Sequence, residues 1–213
     1  MSDTLILIFE LIGTVAFSIS GAMTGLKKKM DILGVIILGL TTAVGGGVIR
    51  DLILGITPPN TFRNPVYATV AIITAIIFFM PAVHRILLSH RVIYDRFMLW
   101  MDALGLGIFT VVGIQVAHSM GETIGTHSTF LMIFVGVVTG VGGGVLRDIM
   151  AGDRPYIFVK HFYATASLCG AIVTILMWHS FGSGPAMIAG TVTVLVLRIL
   201  AAKYRWSLPK ADI

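Results

Sequence analysis

Apolar residues dominate seven long stretches of this chain, residues 4–25, 32–54, 66–88, 97–117, 129–150, 162–178 and 185–202, each bounded by polar or turn-forming residues. A bilayer's hydrocarbon core is roughly 30 Å thick and takes about 20 helical residues to cross, so the pattern predicts seven transmembrane α-helices. Between them lie Lys27-Lys28-Lys29, Pro58-Pro59-Asn60, Arg91 to Arg96, Gly121 to Gly125, Asp153-Arg154-Pro155 and Gly182-Ser183-Gly184, connections too short to hold a soluble domain. The first stretch carries an acid, Asp3, where a signal peptide carries cations, and its lysines follow the apolar run; it reads as a retained helix.

Composition sharpens this to an all-α integral membrane fold. Of 213 residues, 56% are hydrophobic and 12% charged, about half the roughly 25% charge of soluble domains, and the mean hydropathy is +0.96. That excludes most soluble-enzyme readings and a nucleic-acid-binding reading of the +5 net charge. No catalytic residues, metal site or cofactor are indicated. The single cysteine, Cys169, builds neither a disulfide framework nor a thiolate site within one chain. None of the six histidines pairs at i, i+4, and His118 and His127 bracket Glu122 in what reads as a solvated loop.

Basic residues set the expected orientation. Seven spans place Lys27, Lys28, Lys29, Arg85, Arg91, Arg96, Arg154, Lys160, Lys203, Arg205 and Lys210 on one side and Arg63 alone on the other, leaving Arg50, Arg147 and Arg198 within or at the ends of helices. Cytoplasmic loops collect Lys and Arg, so the N-terminus is expected outside and the C-terminus in the cytoplasm. Attraction to anionic membrane lipids is a secondary role for the same basic residues.

The chain also repeats itself. Gly45-Gly46-Gly47-Val48-Ile49-Arg50-Asp51 returns 97 residues later as Gly142-Gly143-Gly144-Val145-Leu146-Arg147-Asp148, with Gly55/Gly152 and Pro58/Pro155 in step. A one-residue slip aligns Tyr67-Ala68-Thr69 with Tyr163-Ala164-Thr165; upstream, at an offset of 92, Glu10, Gly13, Phe17, Ser18 and Gly21 match Asp102, Gly105, Phe109, Thr110 and Gly113. Spans one to three (residues 1–90) thus repeat as spans four to six (91–180), and residues 181–213 add a seventh helix with a basic cytoplasmic tail. An odd number of spans per repeat inverts the second copy in the membrane, a plan that transporters and channels favour.

Chemistry concentrates around the glycines. Three consecutive glycines in a helix cost roughly 1 kcal/mol each relative to alanine. Close packing is one account, since Gly39, Ala43 and Gly47, like Gly136, Gly140 and Gly144, form small-xxx-small stripes. A break or kink in spans two and five that opens a polar pathway is the other. Arg50, Asp51, Arg147 and Asp148 are expensive at membrane depth and must face protein or water, as a structural salt bridge or beside a permeating solute. The inverted topology predicts Glu10 beside Arg50 and Asp102 beside Arg147, giving two acid-rich vestibules that suit a cation. Thr14, Ser18, Thr41, Thr42, Thr110, Gln115 and Thr139 are candidates to replace part of an ion's hydration shell, although membrane hydroxyls also bond back to their own helix.

These features together resemble the trimeric intracellular cation (TRIC) channel superfamily, in particular its bacterial members, also known as glycine-transporter-domain proteins. The resemblance spans nearly the whole chain and rests on the two Gly-Gly-Gly-Val-Ile/Leu-Arg-Asp segments, the three-plus-three inverted repeat, the seventh helix and the outward N-terminus. It implies a homotrimer in the bacterial inner membrane whose protomers each hold a hydrophilic pore. Spans two and five would be kinked at Gly45–Gly47 and Gly142–Gly144, with permeation by monovalent cations, chiefly potassium, or sodium. The phosphoinositide-associated lysine motif of the animal relatives is absent from this sequence. The alternative is a secondary carrier of glycine or another small zwitterion, with Arg50 or Arg147 holding the carboxylate and an acid holding the amine.

Overall fold

The computed structural model describes residues 3–124, 128–159 and 162–206. His127, Lys160 and Lys210, named above, lie outside the described residues. All regular structure among those described is helical: α1 Asp3–Lys27, α2 Ile32–Ile53, α3 Asn60–Arg63, α4 Val66–Phe79, α5 Pro81–Ser89, α6 Arg91–Ile124, α7 Thr129–Met150, α8 Tyr156–Val159, α9 Tyr163–Phe181 and α10 Ser183–Tyr204. Six of these, α1, α2, α6, α7, α9 and α10, are long and apolar enough to cross a membrane.

The third apolar stretch differs from expectation for a local reason. Pro81 lacks an amide hydrogen and disfavours helical geometry in the residue before it. Met80 is accordingly extended (φ −61°, ψ 133°), and the stretch divides into the 14-residue α4 and the 9-residue α5. Two expected loops are instead helical: residues 91–96 form the start of α6 and residues 121–124 its end, making it 34 residues long. His118 therefore sits within α6, 5.0 Å from the Trp178 ring and 3.6 Å from Glu122, rather than in a loop.

Matched caps bound α2 and α7. The Asp31 carboxylate accepts from the Gly34 amide (2.7 Å), and the Ser128 hydroxyl, 97 positions on, accepts from the Leu131 amide (3.3 Å). Both helices end on a glycine at positive φ, Gly55 (+72°) and Gly152 (+71°), a conformation that costs a β-carbon. The closing bonds also correspond: Ile56 N to Asp51 O at 2.8 Å, and Asp153 N to Asp148 O at 2.9 Å. These turns send the chain back toward the helices it has left.

At the centre α2 crosses α7; α1 and α4 pack on α2, α6 and α9 on α7, α1 meets α6, and α10 lies against α6 and α9. Lipid supplies no hydrophobic drive for such packing, so close approach must supply the contact energy. A β-carbon on Gly46 would lie 2.2 Å from the Thr139 carbonyl oxygen, and one on Gly143 would lie 2.1 Å from that of Thr42. Phe17 occupies the space over Gly105, Phe109 approaches Gly13, and the two rings meet at 5.3 Å. Both α2 and α7 continue as single helices through their glycines. Lys28 pairs with Asp153 at 2.6 Å, joining two connections that the charge pattern assigns to one side.

The three glycines of each triplet have different surroundings, which gives a mutational test. Gly46→Ala and Gly143→Ala place a methyl group against backbone and should destabilise by about 1–3 kcal/mol. A β-carbon on Gly47 meets nothing nearer than 3.8 Å, so Gly47→Ala should be neutral or stabilising by up to ~1 kcal/mol. Thermal unfolding in detergent should separate the two classes; equal midpoints for all three variants would contradict the crossing.

Candidate functional site

The charged pairs sit where α2 and α7 reach their last turns. In each, the arginine folds back on the aspartate that follows it: Arg50 Nε donates to Asp51 Oδ1 at 2.8 Å, and Arg147 Nε to Asp148 Oδ1 at 2.8 Å. The second carboxylate oxygen accepts a backbone amide from the returning chain, Asn60 N at 2.7 Å for Asp51 and Tyr156 N at 2.8 Å for Asp148. Each aspartate thus satisfies both oxygens while tying the next segment to its helix. A buried charge is tolerated when it is paired and hydrogen-bonded in this way.

An acid from α1 or α6 lies near each pair, and a tyrosine from α4 or α9 bonds that acid. Tyr67 donates its hydroxyl to Glu10, and Tyr163 donates to Asp102 Oδ1 at 3.4 Å. Here the two clusters diverge. Arg147 is fully buried and pairs with Asp102 through Nη1 at 2.8 Å, and the same nitrogen donates to the Ser20 hydroxyl. Its guanidinium carbon lies 4.8 Å from the Tyr156 ring centre. Burial pushes the Tyr156 phenol above its usual range against the pull of Arg147, so this ring stays neutral. Among the described residues no ion pair joins Glu10 to Arg50; they face one another across a cavity of about 40 Å³ that Thr14, Gly47, Asn60 and Tyr67 also line.

The expectation of two equally acidic vestibules is corrected by α10. Arg198, 3% exposed, brings Nη2 to 3.6 Å from Asp102 Oδ2 and lies 4.7 Å from the Tyr163 ring centre. The first cluster, Glu10, Arg50 and Asp51, carries a formal charge of −1, whereas Asp102, Arg147, Asp148 and Arg198 sum to zero. The sequence also marks the difference at the matched upstream offset, where Ser20 aligns with Val112.

The remaining candidates are distributed more widely. Thr14 is buried and lines the first cavity. Thr42, Thr110 and Thr139 donate to the carbonyls of Leu38, Leu106 and Val135 at 2.6, 2.7 and 2.6 Å, within their own helices. Thr110 also meets the Ser167 hydroxyl at 2.7 Å, and Ser18 donates to the Ala71 carbonyl at 2.6 Å. Thr41 is half-buried on α2. Gln115 donates to Ser119 at 3.2 Å, while its carbonyl oxygen is buried without a hydrogen-bond partner. Gly45 faces Leu146, Gly142 faces Gly46, and a β-carbon on Gly144 would lie 2.7 Å from the Tyr163 hydroxyl. No group of His, Cys, Asp and Glu among the described residues forms a metal site. Sequence reasoning missed Tyr67, Tyr163 and Arg198 as members of the clusters. The tyrosines stood in the repeat, and an arginine inside the last apolar stretch was itself a signal.

Known proteins resemble this chain over nearly its whole length. The sequence matches the family described as glycine transporter over residues 7–82 and again over 99–179. It is 34% identical to the UPF0126 inner membrane protein YadS of Escherichia coli strain K12, over 94% of this chain and 93% of that protein. It is 33% identical to the UPF0126 membrane protein YvgT of Bacillus subtilis strain 168, over 95% and 94%. Among solved structures it resembles a TRIC cation channel described for its conductance (37% identity, TM-score 0.80, 97% of each chain). It also resembles the TRIC orthologue from Rhodobacter sphaeroides (32% identity, TM-score 0.83, 96% of this chain and 100% of the other). These solved structures are channels rather than enzymes.

The unequal clusters should respond unequally to truncation. Arg147→Ala leaves Asp148 without its cation and Asp102 with only the 3.6 Å contact to Arg198, and should destabilise by about 3–5 kcal/mol. Arg50→Ala, beside a cavity that admits water, should cost distinctly less. Unfolding midpoints in detergent measure both; equal losses would contradict the difference in burial.

Proposed function

Because the chain belongs to the glycine-transporter-domain family, the bacterial branch of the TRIC channel superfamily, we propose that it is a monovalent cation channel, permeable to potassium and sodium, with one hydrophilic pore inside each protomer of a homotrimer. The observation that carries this reading is the pair of charged clusters buried on either side of the α2/α7 crossing. Charges at membrane depth cost about 2.5–3.5 kcal/mol each on insertion scales and are rare outside transport pathways.

In this reading the chain has seven spans, with α4 and α5 together serving as the third. Residues 1–90 and 91–180 are inverted halves, and residues 181–213 add the last span and tail. Support comes from the reciprocal glycine contacts at residues 46 and 143 and from the two family matches, whose starts lie 92 residues apart. The N-terminus faces out and the C-terminus faces the cytoplasm, so Glu10, Arg50 and Asp51 form the outer cluster and Asp102, Arg147 and Asp148 the inner one. Bending at the triple glycines of α2 and α7 would widen the path between them. Glu10 and Thr14 meet the ion, while Asp51 and Asp148 hold the arginines and the returning loops.

A carrier of glycine is the second reading, favoured by the family's description and by an acid and an arginine facing one cavity. The size of that cavity, about 40 Å³, suits one or two waters or a bare monovalent ion better than a five-heavy-atom zwitterion.

Purified protein in liposomes distinguishes them. A potassium gradient without amino acid should drive current, and Glu10→Gln should lower it by about fivefold through loss of the attracting charge. Electrically silent vesicles that accumulate labelled glycine would overturn the channel in favour of the carrier.

A further inference from the structure

The last helix adds a buried charge that has no counterpart across the two halves. Arg198 comes from α10, which packs on α6 and α9 and lies beyond both family matches. It touches the free oxygen of Asp102, whose other oxygen is taken by Arg147. The equivalent acid of the first half, Glu10, is bonded by a neutral tyrosine instead.

The two inner arginines are held very differently. Arg147 is gripped by Asp102, Asp148 and Ser20 together. Arg198 makes a 3.6 Å charge contact and a face-on contact with Tyr163, and its buried Nε has no hydrogen-bond partner. Arg147 Nη2 likewise lacks a hydrogen bond, but its carboxylate contacts are at 2.8 Å against the single 3.6 Å contact of Arg198, which leaves Arg198 the more weakly seated of the two. It also lines an open pocket of about 420 Å³ together with Asp95, Arg96, Arg205 and Trp206. The guanidinium therefore has space to withdraw into.

Resting on the channel reading above, we propose that Arg198 is a selectivity-determining residue: its charge cancels that of Asp102 and makes the inner cluster the barrier to cations, and its withdrawal gives that cluster the acid excess of the outer one. Arg198 acts on the ion through Asp102, not by lining the path itself. The seventh helix then has a functional part, fixing the height of the inner barrier.

Potassium flux and reversal potential in a KCl gradient, measured on reconstituted full-length protein, test this. R198Q should raise potassium flux by about tenfold and shift the reversal potential further toward that of potassium. R198K, which keeps the charge, should stay nearer wild type. D102N should act in the opposite direction, lowering flux and cation preference, and in the R198Q/D102N double variant the gain of R198Q should vanish. A merely structural Arg198 would reduce the amount of folded protein without moving the reversal potential. Wild-type current that R198Q leaves unchanged in flux and reversal potential overturns this proposal alone, as does a gain that persists without Asp102. If R198Q does not yield folded trimer, D102N with unaltered flux and selectivity overturns it. A wild-type protein that passes no potassium overturns the channel reading and this one with it.

Discussion

Two backbone contacts hold the rest of the molecule in place: the carbonyl of Thr139 against Gly46 and the carbonyl of Thr42 against Gly143. Any side chain at either glycine would wedge α2 and α7 apart. Because the helices meet there, their last turns diverge on opposite sides of the crossing, and each presents its Arg-Asp pair to an acid and a tyrosine from the neighbouring helices. The turns at Gly55 and Gly152 then bring Asn60 and Tyr156 back onto those aspartates. The loops, the clusters and the cavity beside Glu10 all follow from that approach.

Much of this was legible from residue order. The spans follow from apolar length, and the correspondence of the clusters follows from Gly-Gly-Gly-Val-Ile/Leu-Arg-Asp recurring at a fixed offset. Pairing Asp102 with Arg147 required only that recurrence and an odd number of spans. Other features were hidden because they depend on distance in space. The division of the third stretch at Pro81 was readable, since proline acts locally, but its consequence for the length of α4 depends on how the chain resumes. The matching of Tyr67 with Glu10 and of Tyr163 with Asp102 crosses helices far apart in sequence, and no periodicity announces it. Nor could composition foretell that three of the candidate threonines turn their hydroxyls to their own helices.

The largest departure is one of charge. A duplicated sequence suggests duplicated electrostatics, yet α10 adds Arg198 to one cluster alone and Ser20 reinforces the same one. The recurring Gly-Gly-Gly-Val-Ile/Leu-Arg-Asp segment thus sits in two sites of related geometry and unlike charge. In a low-dielectric interior such a difference weighs heavily, since a unit charge a few ångströms away shifts an ion's energy by several times thermal energy at an effective dielectric constant of about 20. One cluster keeps an excess acid beside a cavity; the other sums to zero around a fully buried Arg147.

Accommodation of a cation inside the protomer beside Glu10 can be tested most directly by anomalous diffraction from crystals of the protein grown in thallium or rubidium salt. Anomalous density is expected in the cavity between Glu10, Thr14 and Tyr67 of every protomer. Density confined to the axis between protomers, with that cavity empty of the ion at saturating concentration, would contradict it.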